Sequence, residues 1–538
     1  MRFRILIAFL GSISTLYGQV SHPSGQYDLP FELTFSSKGH QEFYFTTDGS
    51  DPLNGGQHYQ EAIPIGAEIT LPPKIDTIPT TPLEGPWQLD YFRWKEPQKM
   101  QRDVWVLRYA ICEKGRCFEL PPETYFMGEH WKSKHSVPVV SITTDANNLF
   151  DAAKGLFVPG NLHTEKGWDS LFFGNGNYTM KGKDWQRPGA LQLFDSSLVS
   201  IYETPIEFRL HGAVVGAFPQ KSIRVYTDKP EGGKALNWSN FNKEDTLSST
   251  RFILRNSGSD MVSTHFRDAY LSSLAGDLGL EHQKSEPCVV YLNGIYWGIY
   301  NIRERIDRYY MQEHFGLNRD AYDMIEGTGK DVMNGSNETF VNLLSMIYTE
   351  DIQEDSVYAK VEAIIDIENY IDYNLFETYF CNMDWPGNNV KFWRPKNGKW
   401  RWIFFDGDLM MSLYVFNKDG GYEHDALAHA TADTLNEWYN SKGSTYLLRN
   451  LLKNDKFRQQ FYQRYSELSG TNFSEDYLLG RLAEFEERYA SEMNRQIDLW
   501  NYPSDRADWE REVALLKEFL RQRKMYYEAH LEKLLGAE

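Results

Sequence analysis

Hydrophobic and polar positions change their rhythm along the chain. From about Gln26 to Met127 the period is two. Phe31-Glu32-Leu33-Thr34-Phe35 alternates strictly, Glu42-Phe43-Tyr44-Phe45-Thr46 is mostly aromatic, and Pro, Gly and Asp clusters separate the runs. Alternation puts one face of each strand in a core, so this segment is expected to be all-β. The polar stretch Gly128–Ser136 reads as a linker. Strand-like runs resume at Val137–Ile142 and continue through Ala190–Phe194, Ile206–Leu210 and Lys221–Thr227. Thr264–Leu278 has helical spacing. Asn293-Gly294, between the β-rich runs Cys288–Leu292 and Ile295–Ile302, is the sequence of a type I′ hairpin turn.

From about Ala359 the apolar steps lengthen to three and four, first over Val361–Phe380. A hairpin interrupts them: Val390–Arg394, a Lys396-Asn397-Gly398 turn, then Trp400–Phe405. After about Thr431 the pattern is helical, with long periodic segments at Tyr446–Leu468, Ser474–Met493 and Asp508–Leu535. The alternating charges of these last segments read as solvated faces. The expected class is α+β, a β-rich part followed by a helical one.

Length and charge narrow the picture. At roughly 100–200 residues per domain, a chain of 538 residues holds several domains. A hydrophobic share of 41% supports real cores, and a net charge of −19 argues against a protein that coats nucleic acid or an anionic membrane. Aromatics at 15% suit sheet-rich domains or sugar-binding platforms. No segment carries the roughly 18–20 uninterrupted apolar residues of a membrane-spanning helix. Met1–Gly18 reads as a secretory signal peptide, with Arg2 and Arg4 ahead of the apolar Ile5–Leu10; the alternative is a buried N-terminal strand. Export to the cell envelope, whether periplasm or cell surface, or to the medium is therefore expected. Cys112 and Cys117 flank a Lys-Gly turn and are either a local disulfide or two thiols on a hairpin. Cys288 and Cys381 read as buried packing groups.

The candidate chemistry lies in Asn382-Met383-Asp384-Trp385-Pro386-Gly387-Asn388-Asn389, the hairpin after it, and Phe404-Phe405-Asp406-Gly407-Asp408. Phosphoryl transfer needs a carboxylate to orient or deprotonate the attacking hydroxyl. It also needs oxygen ligands to hold a divalent metal against the phosphates. Protein kinases place an Asp and an Asn five residues apart, followed after a short hairpin by a metal-binding Asp. Asp384, Asn389 and Asp406 have that order, with Asp408 as a second candidate ligand. The plain alternative is turn capping, which Asp and Asn perform readily.

Two resemblances sharpen this reading. Tyr44-Phe45-Thr46-Thr47-Asp48-Gly49-Ser50-Asp51-Pro52 resembles the strand and turn of chitobiase/β-hexosaminidase C-terminal-type modules. That likeness implies a small immunoglobulin-like sandwich over residues 26–128 that has no catalytic groups, and polysaccharide is the partner expected of this module. From about Val137 onward the chain resembles the spore coat protein H (CotH) kinase family. The resemblance is carried by Pro138-Val139-Val140-Ser141-Ile142 with Asn148-Leu149-Phe150-Asp151, by Arg209-Leu210-His211-Gly212 and by Phe218-Pro219-Gln220-Lys221-Ser222. Arg267-Asp268, Tyr291-Leu292-Asn293-Gly294-Ile295-Tyr296-Trp297-Gly298 with Glu304, and the Asp384 and Asp406 motifs complete it.

The family likeness implies a divergent two-lobed protein-kinase-like fold, with a β-rich lobe over 137–315 and a helical lobe over 316–538. It implies an atypical kinase that uses ATP with Mg²⁺ or Mn²⁺ to phosphorylate secreted or surface proteins. By the same likeness Asp384 is the catalytic-loop aspartate, and Asn389 and Asp406 hold metal. Lys221 meets the nucleotide phosphates. Glu304 is an acidic group that pairs with Lys221 or with Arg303 or Arg305. The sequence departs from the family in its tight, aromatic Asp384-Trp385-Pro386-Gly387 loop, and it has no G-x-G-x-x-G loop. Gly327-Thr328-Gly329-Lys330 reads as a surface turn, lacking the strand and glycine of a phosphate loop. The competing class is a kinase-like surface protein without catalysis, acting in adhesion or carbohydrate association.

Overall fold

The computed structural model describes residues 20–36, 40–66, 80, 103–166, 175–212, 214–411, 421–434, 436–437 and 440–536. The Met1–Gly18 expectation lies outside them. The chain divides into two compact units: Met1–Gly258 with Glu286–Arg305 and Arg488–Arg506, and Ser259–Ser285 with Ile306–Glu487 and Ala507–Glu538. The fold is α+β, with most strands in the N-terminal part and the long helices toward the C-terminus.

The first unit opens with an all-β module. Its larger sheet runs Gly25–Tyr27, Glu123–Met127, Trp105–Glu113, Glu42–Thr46 and Gln57–His58, and Arg116–Glu119 pairs with Trp105–Glu113. A second sheet joins Phe31–Leu33 to Ile63–Ile65, and Leu33, Phe43, Ile65, Leu107 and Tyr125 share one core. The alternation of the sequence is what buries that single face. Cys112 and Cys117 face each other across the Trp105–Glu113/Arg116–Glu119 hairpin and form a disulfide. The Asp-rich turn works as turn chemistry: Asp48 Oδ1 accepts from Ser50 N and Asp51 Oδ1 from Leu53 N, both at 2.9 Å.

Beyond the module, seven strands close a barrel in the order Arg187–Phe194, Ser200–Leu210, Ile223–Tyr226, Arg251–Arg255, Ile295–Glu304, Ser285–Leu292 and Val139–Thr143. The last two are linked by parallel pairing. The Asn293-Gly294 turn has φ of 48° and 79°, the left-handed pair that a type I′ hairpin requires. Gly298 sits at φ 108°, and a Cβ there would lie 2.5 Å from Gln496 Oε1 and 2.8 Å from Trp500 Nε1. Gln496 threads into this gap, donating to Gln220 and accepting from Ile299 N.

Module and barrel share buried contacts. Thr124 Oγ1 donates to Gln192 Oε1 at 2.6 Å, and Phe126 packs edge-on against Phe194 and Tyr291. Asp103 N and Val104 N both donate to Gly294 O. Gly128–Ser136, expected as a linker, contains a 3-10 turn, Glu129–Ser133, with Trp131 buried. His135 is also buried there, between Glu492 and Tyr291. Its aromatic residue and histidine explain the difference: both find core partners.

In the second unit a four-stranded sheet runs Asp331–Asn334, Tyr322–Glu326, Lys391–Pro395 and Arg401–Ile403. The hairpin after Asp384 supplies its last two strands. Helix Ile367–Tyr379 lies beside the sheet, with Asp366 capping its start. Helix Arg506–Gly536 buries Trp509, Val513, Leu516, Leu520, Arg523, Tyr527 and Leu531 at three- and four-residue steps. Among the described residues no helix is long and apolar enough to cross a membrane.

Candidate functional site

Asp384 stands at the end of a chain of hydrogen bonds that begins inside helix Ile367–Tyr379. The buried Glu377 Oε2 accepts from Asn382 Nδ2 at 2.7 Å, and Asn382 Oδ1 accepts from the backbone N of Asp384 at 3.0 Å. Trp385 pins the next residue by donating its indole N–H to Tyr373 OH at 3.0 Å. The carboxylate of Asp384 is 8% exposed, and its Oδ2 accepts from both Asn388 Nδ2 and Asn389 Nδ2 at 2.8 Å. Its Oδ1 is buried with no hydrogen-bond partner among the described residues. Among the described residues neither oxygen takes a backbone N–H, so Asp384 caps no turn there; Asn382 does that work. Burial pushes the Asp384 carboxyl up to about 7, the charge of Asp406 adds to the rise, and the two asparagines oppose it.

Asp406 follows strand Arg401–Ile403 in a left-handed conformation, φ 64°. The loop it opens is fastened at several points within this unit. Gly407 N donates to Asp268 Oδ1 at 2.9 Å, and Ser259 N donates to Asp408 Oδ2 at 2.7 Å. Arg267 Nη1 donates to the carbonyls of Met410 and Met411 at 2.9 and 2.7 Å. The Arg267 guanidinium is itself held by the fully buried Asp260, Nε to Oδ1 at 3.0 Å. Asp260 also accepts from Thr264 Oγ1 and Arg267 N. Asp408, expected as a candidate ligand, thus has one oxygen tying the loop to Ser259.

Carboxylate and amide oxygens, which Asp406 and Asn389 carry, are the donor type a hard divalent cation takes. Asn389 turns its amide N–H to Asp384, which leaves its amide oxygen for a cation, and Asp406 adds a carboxylate whose charge is felt at Asp384. Among the described residues no group of three or more His, Cys, Asp or Glu could hold a metal ion. That is compatible with Mg²⁺, which binds through one or two carboxylates and takes phosphate and water oxygens for the rest.

The first unit holds Lys221 and Glu304. Lys221 is fully buried: Nζ donates to Gly216 O at 2.9 Å and Phe218 O at 2.7 Å and lies 4.3 Å from the centre of the Tyr178 ring. Burial drives its pKa well below the usual lysine value. An exposed lysine on an alternating strand is therefore excluded. Glu304, buried at the end of strand Ile295–Glu304 opposite Phe252, is not among the contacts of the Lys221 ammonium.

Sequence reasoning passed over Asn388, Asn382 and Asp260. Asn388 had a local signal, the doubled asparagine beside Asn389. Asp260 had none, because its role depends on a loop far along the chain.

A family model described as CotH kinase protein matches residues 208–527, more than half of the chain. The matched span contains Lys221, Glu304, Asp384, Asn389, Asp406 and Asp408. Among curated proteins, none matches the chain.

Proposed function

The chain belongs to the CotH kinase protein family, and from that premise we propose that it transfers the γ-phosphate of ATP to serine or threonine hydroxyls of exported or cell-surface proteins. The observation that carries this reading is Asp384: one oxygen held by two amides, the other buried with no hydrogen-bond partner among the described residues, and a carboxyl pushed up to about 7. A group so placed can accept a hydrogen bond from an acceptor hydroxyl and take its proton as the phosphorus–oxygen bond forms. Asp406 and the amide oxygen of Asn389 would hold Mg²⁺ or Mn²⁺, which supplies charge neutralisation at the phosphates when bound. Asp268, Asp408 and Arg267 act as positioning residues that fix the Asp406 loop.

We read the β-rich and helical parts as the two lobes of a divergent protein-kinase-like fold. Export is supported by the Arg2–Arg4 and Ile5–Leu10 pattern and by the Cys112–Cys117 disulfide, a bond at home in oxidising compartments. The competing reading, a kinase-like surface protein without catalysis, is favoured by Lys221, whose ammonium is already engaged by two carbonyls and a ring. Incubation with γ-labelled ATP and Mg²⁺ or Mn²⁺ separates the two. Label on the protein or on an added substrate supports transfer, and its absence under both metals supports the inactive reading.

A further inference from the structure

We propose that Arg209 and Arg224, with Tyr226 and His211 beside them, form a binding site for the polyphosphate chain of a nucleotide on the barrel of the first unit. Only the identity of the ligand as a nucleotide rests on the proposed function; the anion site stands on the arrangement of these residues.

Strands Ser200–Leu210 and Ile223–Tyr226 are antiparallel, and their register sets Arg209 directly opposite Arg224. Like charges in that position repel and destabilise a sheet unless something neutralises them. Among the described residues no carboxylate pairs with either. Arg209 Nε donates to Tyr226 OH at 3.0 Å, and Arg224 Nη2 donates to His211 Nδ1 at 2.6 Å. Arg224 Nε is buried without a hydrogen-bond partner among the described residues.

Arg251, on the same side of the sheet, shows how the barrel treats a structural arginine. Its Nε and Nη2 meet the two oxygens of Asp228 at 3.0 and 2.6 Å.

Neighbouring arginines act on the histidine of this group. Burial, then Arg224, Arg255, Arg305 and Arg209, hold the His211 imidazole well below its usual pKa, so it is neutral and accepts from Arg224. Burial and Arg305 likewise lower Arg224, to about 10. A half-buried pair of guanidiniums with an unused N–H and no acid of its own is suited to oxygen anions, and the guanidinium fork matches phosphate geometry. More than one guanidinium calls for more than one negative charge, hence a polyphosphate and not a single carboxylate. Lys221, by contrast, has its ammonium turned to carbonyls.

The test is calorimetric titration of the full chain at low salt with inorganic tripolyphosphate, then with Mg–ATP. Tripolyphosphate should bind and should be displaced by ATP. Arg209→Gln and Arg224→Gln should each weaken both ligands at least tenfold, Arg209→Lys should recover part of the loss, and Arg251→Gln should leave binding unchanged. If Arg224→Gln does not fold, the Arg209→Gln and Arg209→Lys pair decides alone, since Lys keeps the charge and drops the fork. The assignment is overturned if the parent does not bind tripolyphosphate, if the Arg209 variants bind as the parent does, or if ATP fails to displace it. Phosphate transfer assayed in parallel keeps the two readings apart. Arginine-dependent binding without transfer defeats the kinase reading only, and transfer with arginine-independent binding defeats this site only.

Discussion

Asn389 donates its side-chain amide to the Oδ2 of Asp384 at 2.8 Å, across the five-residue spacing that the sequence displays. The spacing is therefore a contact. Asn388 makes the same bond to the same oxygen, so a neutral pair of amides holds the carboxylate and lowers its pKa without placing a positive charge beside it. What results is an aspartate fixed in orientation, with one oxygen unpartnered among the described residues and a carboxyl pushed up to about 7.

The rate of phosphate transfer should rise with pH and level off above about 7, as Asp384 loses its proton. Asn388→Ala removes one of the two bonds that favour the charged form. The acidic limb of the profile should move upward by roughly one pH unit, the scale of one charge-assisted hydrogen bond, while the plateau rate changes less. A pH–rate profile of Asn388→Ala that overlays the parent would contradict the role given to the two amides.

Stability should follow a related course. Asp384 is raised to about 7 and Glu377 to about 8, both by burial first. In the unfolded chain both ionise near pH 4, so between about 4 and 8 the folded state binds more protons than the unfolded one. Stability from these groups is full below about pH 4 and is lost as pH rises through 7 and 8. Glu377→Gln, which cannot ionise, should flatten the fall of the melting temperature between about pH 5 and 8, read by thermal unfolding across pH 5–9. An unchanged slope would show that Glu377 is not protonated in the fold.

The Asp406 loop offers a separation of binding from folding. Arg267→Ala leaves Asp260 buried without its guanidinium and frees the carbonyls of Met410 and Met411. Breaking a buried pair of this kind costs about 3–5 kcal/mol. Asp406→Ala should keep the parent melting temperature within a few degrees yet lose metal-dependent ATP binding, measured by thermal shift with and without Mg²⁺. Tight Mg–ATP binding by Asp406→Ala would remove Asp406 from the metal site.

Much of the fold could be read from pattern because local chemistry decides it. Asn293-Gly294 specifies its turn, and the run Glu42–Thr46 became the strand Glu42–Thr46. The expected helix Val361–Phe380 starts only at Ile367, since Ile364 O and Asp366 N bond with the backbone of Trp400. Apolar residues there satisfy a strand edge as well as a helix face, and period alone does not distinguish them. Tyr446–Leu468 splits into Tyr446–Leu451 and Asp455–Ser469 because Asn454 caps a new start at Phe457 N. In the site, Asp384, Asn389 and Asp406 were legible from spacing. The burial of Lys221 was not, because its partners are backbone carbonyls, which no sequence displays.

The N-terminal module, expected to lack catalytic groups and to be followed by a linker, shares buried contacts with the barrel. Starting the chain near Val137 would strip Thr124 from Gln192 and Phe126 from Phe194 and Tyr291, and remove Trp131 from its buried place. Such a truncation should yield mostly insoluble protein or a melting temperature lower by many degrees. A soluble product with the parent's melting temperature would show that the barrel needs none of these contacts.

The central claim is that Asp384 acts on the acceptor hydroxyl, and the most direct measurement compares phosphate transfer by Asp384→Asn and the parent at saturating Mg–ATP. Asn keeps the shape and removes the charge. Nucleotide affinity should stay within a few-fold, whereas transfer of labelled γ-phosphate should fall by on the order of a hundredfold or more, the usual scale for losing a positioned base. Transfer by Asp384→Asn within a few-fold of the parent would contradict the account.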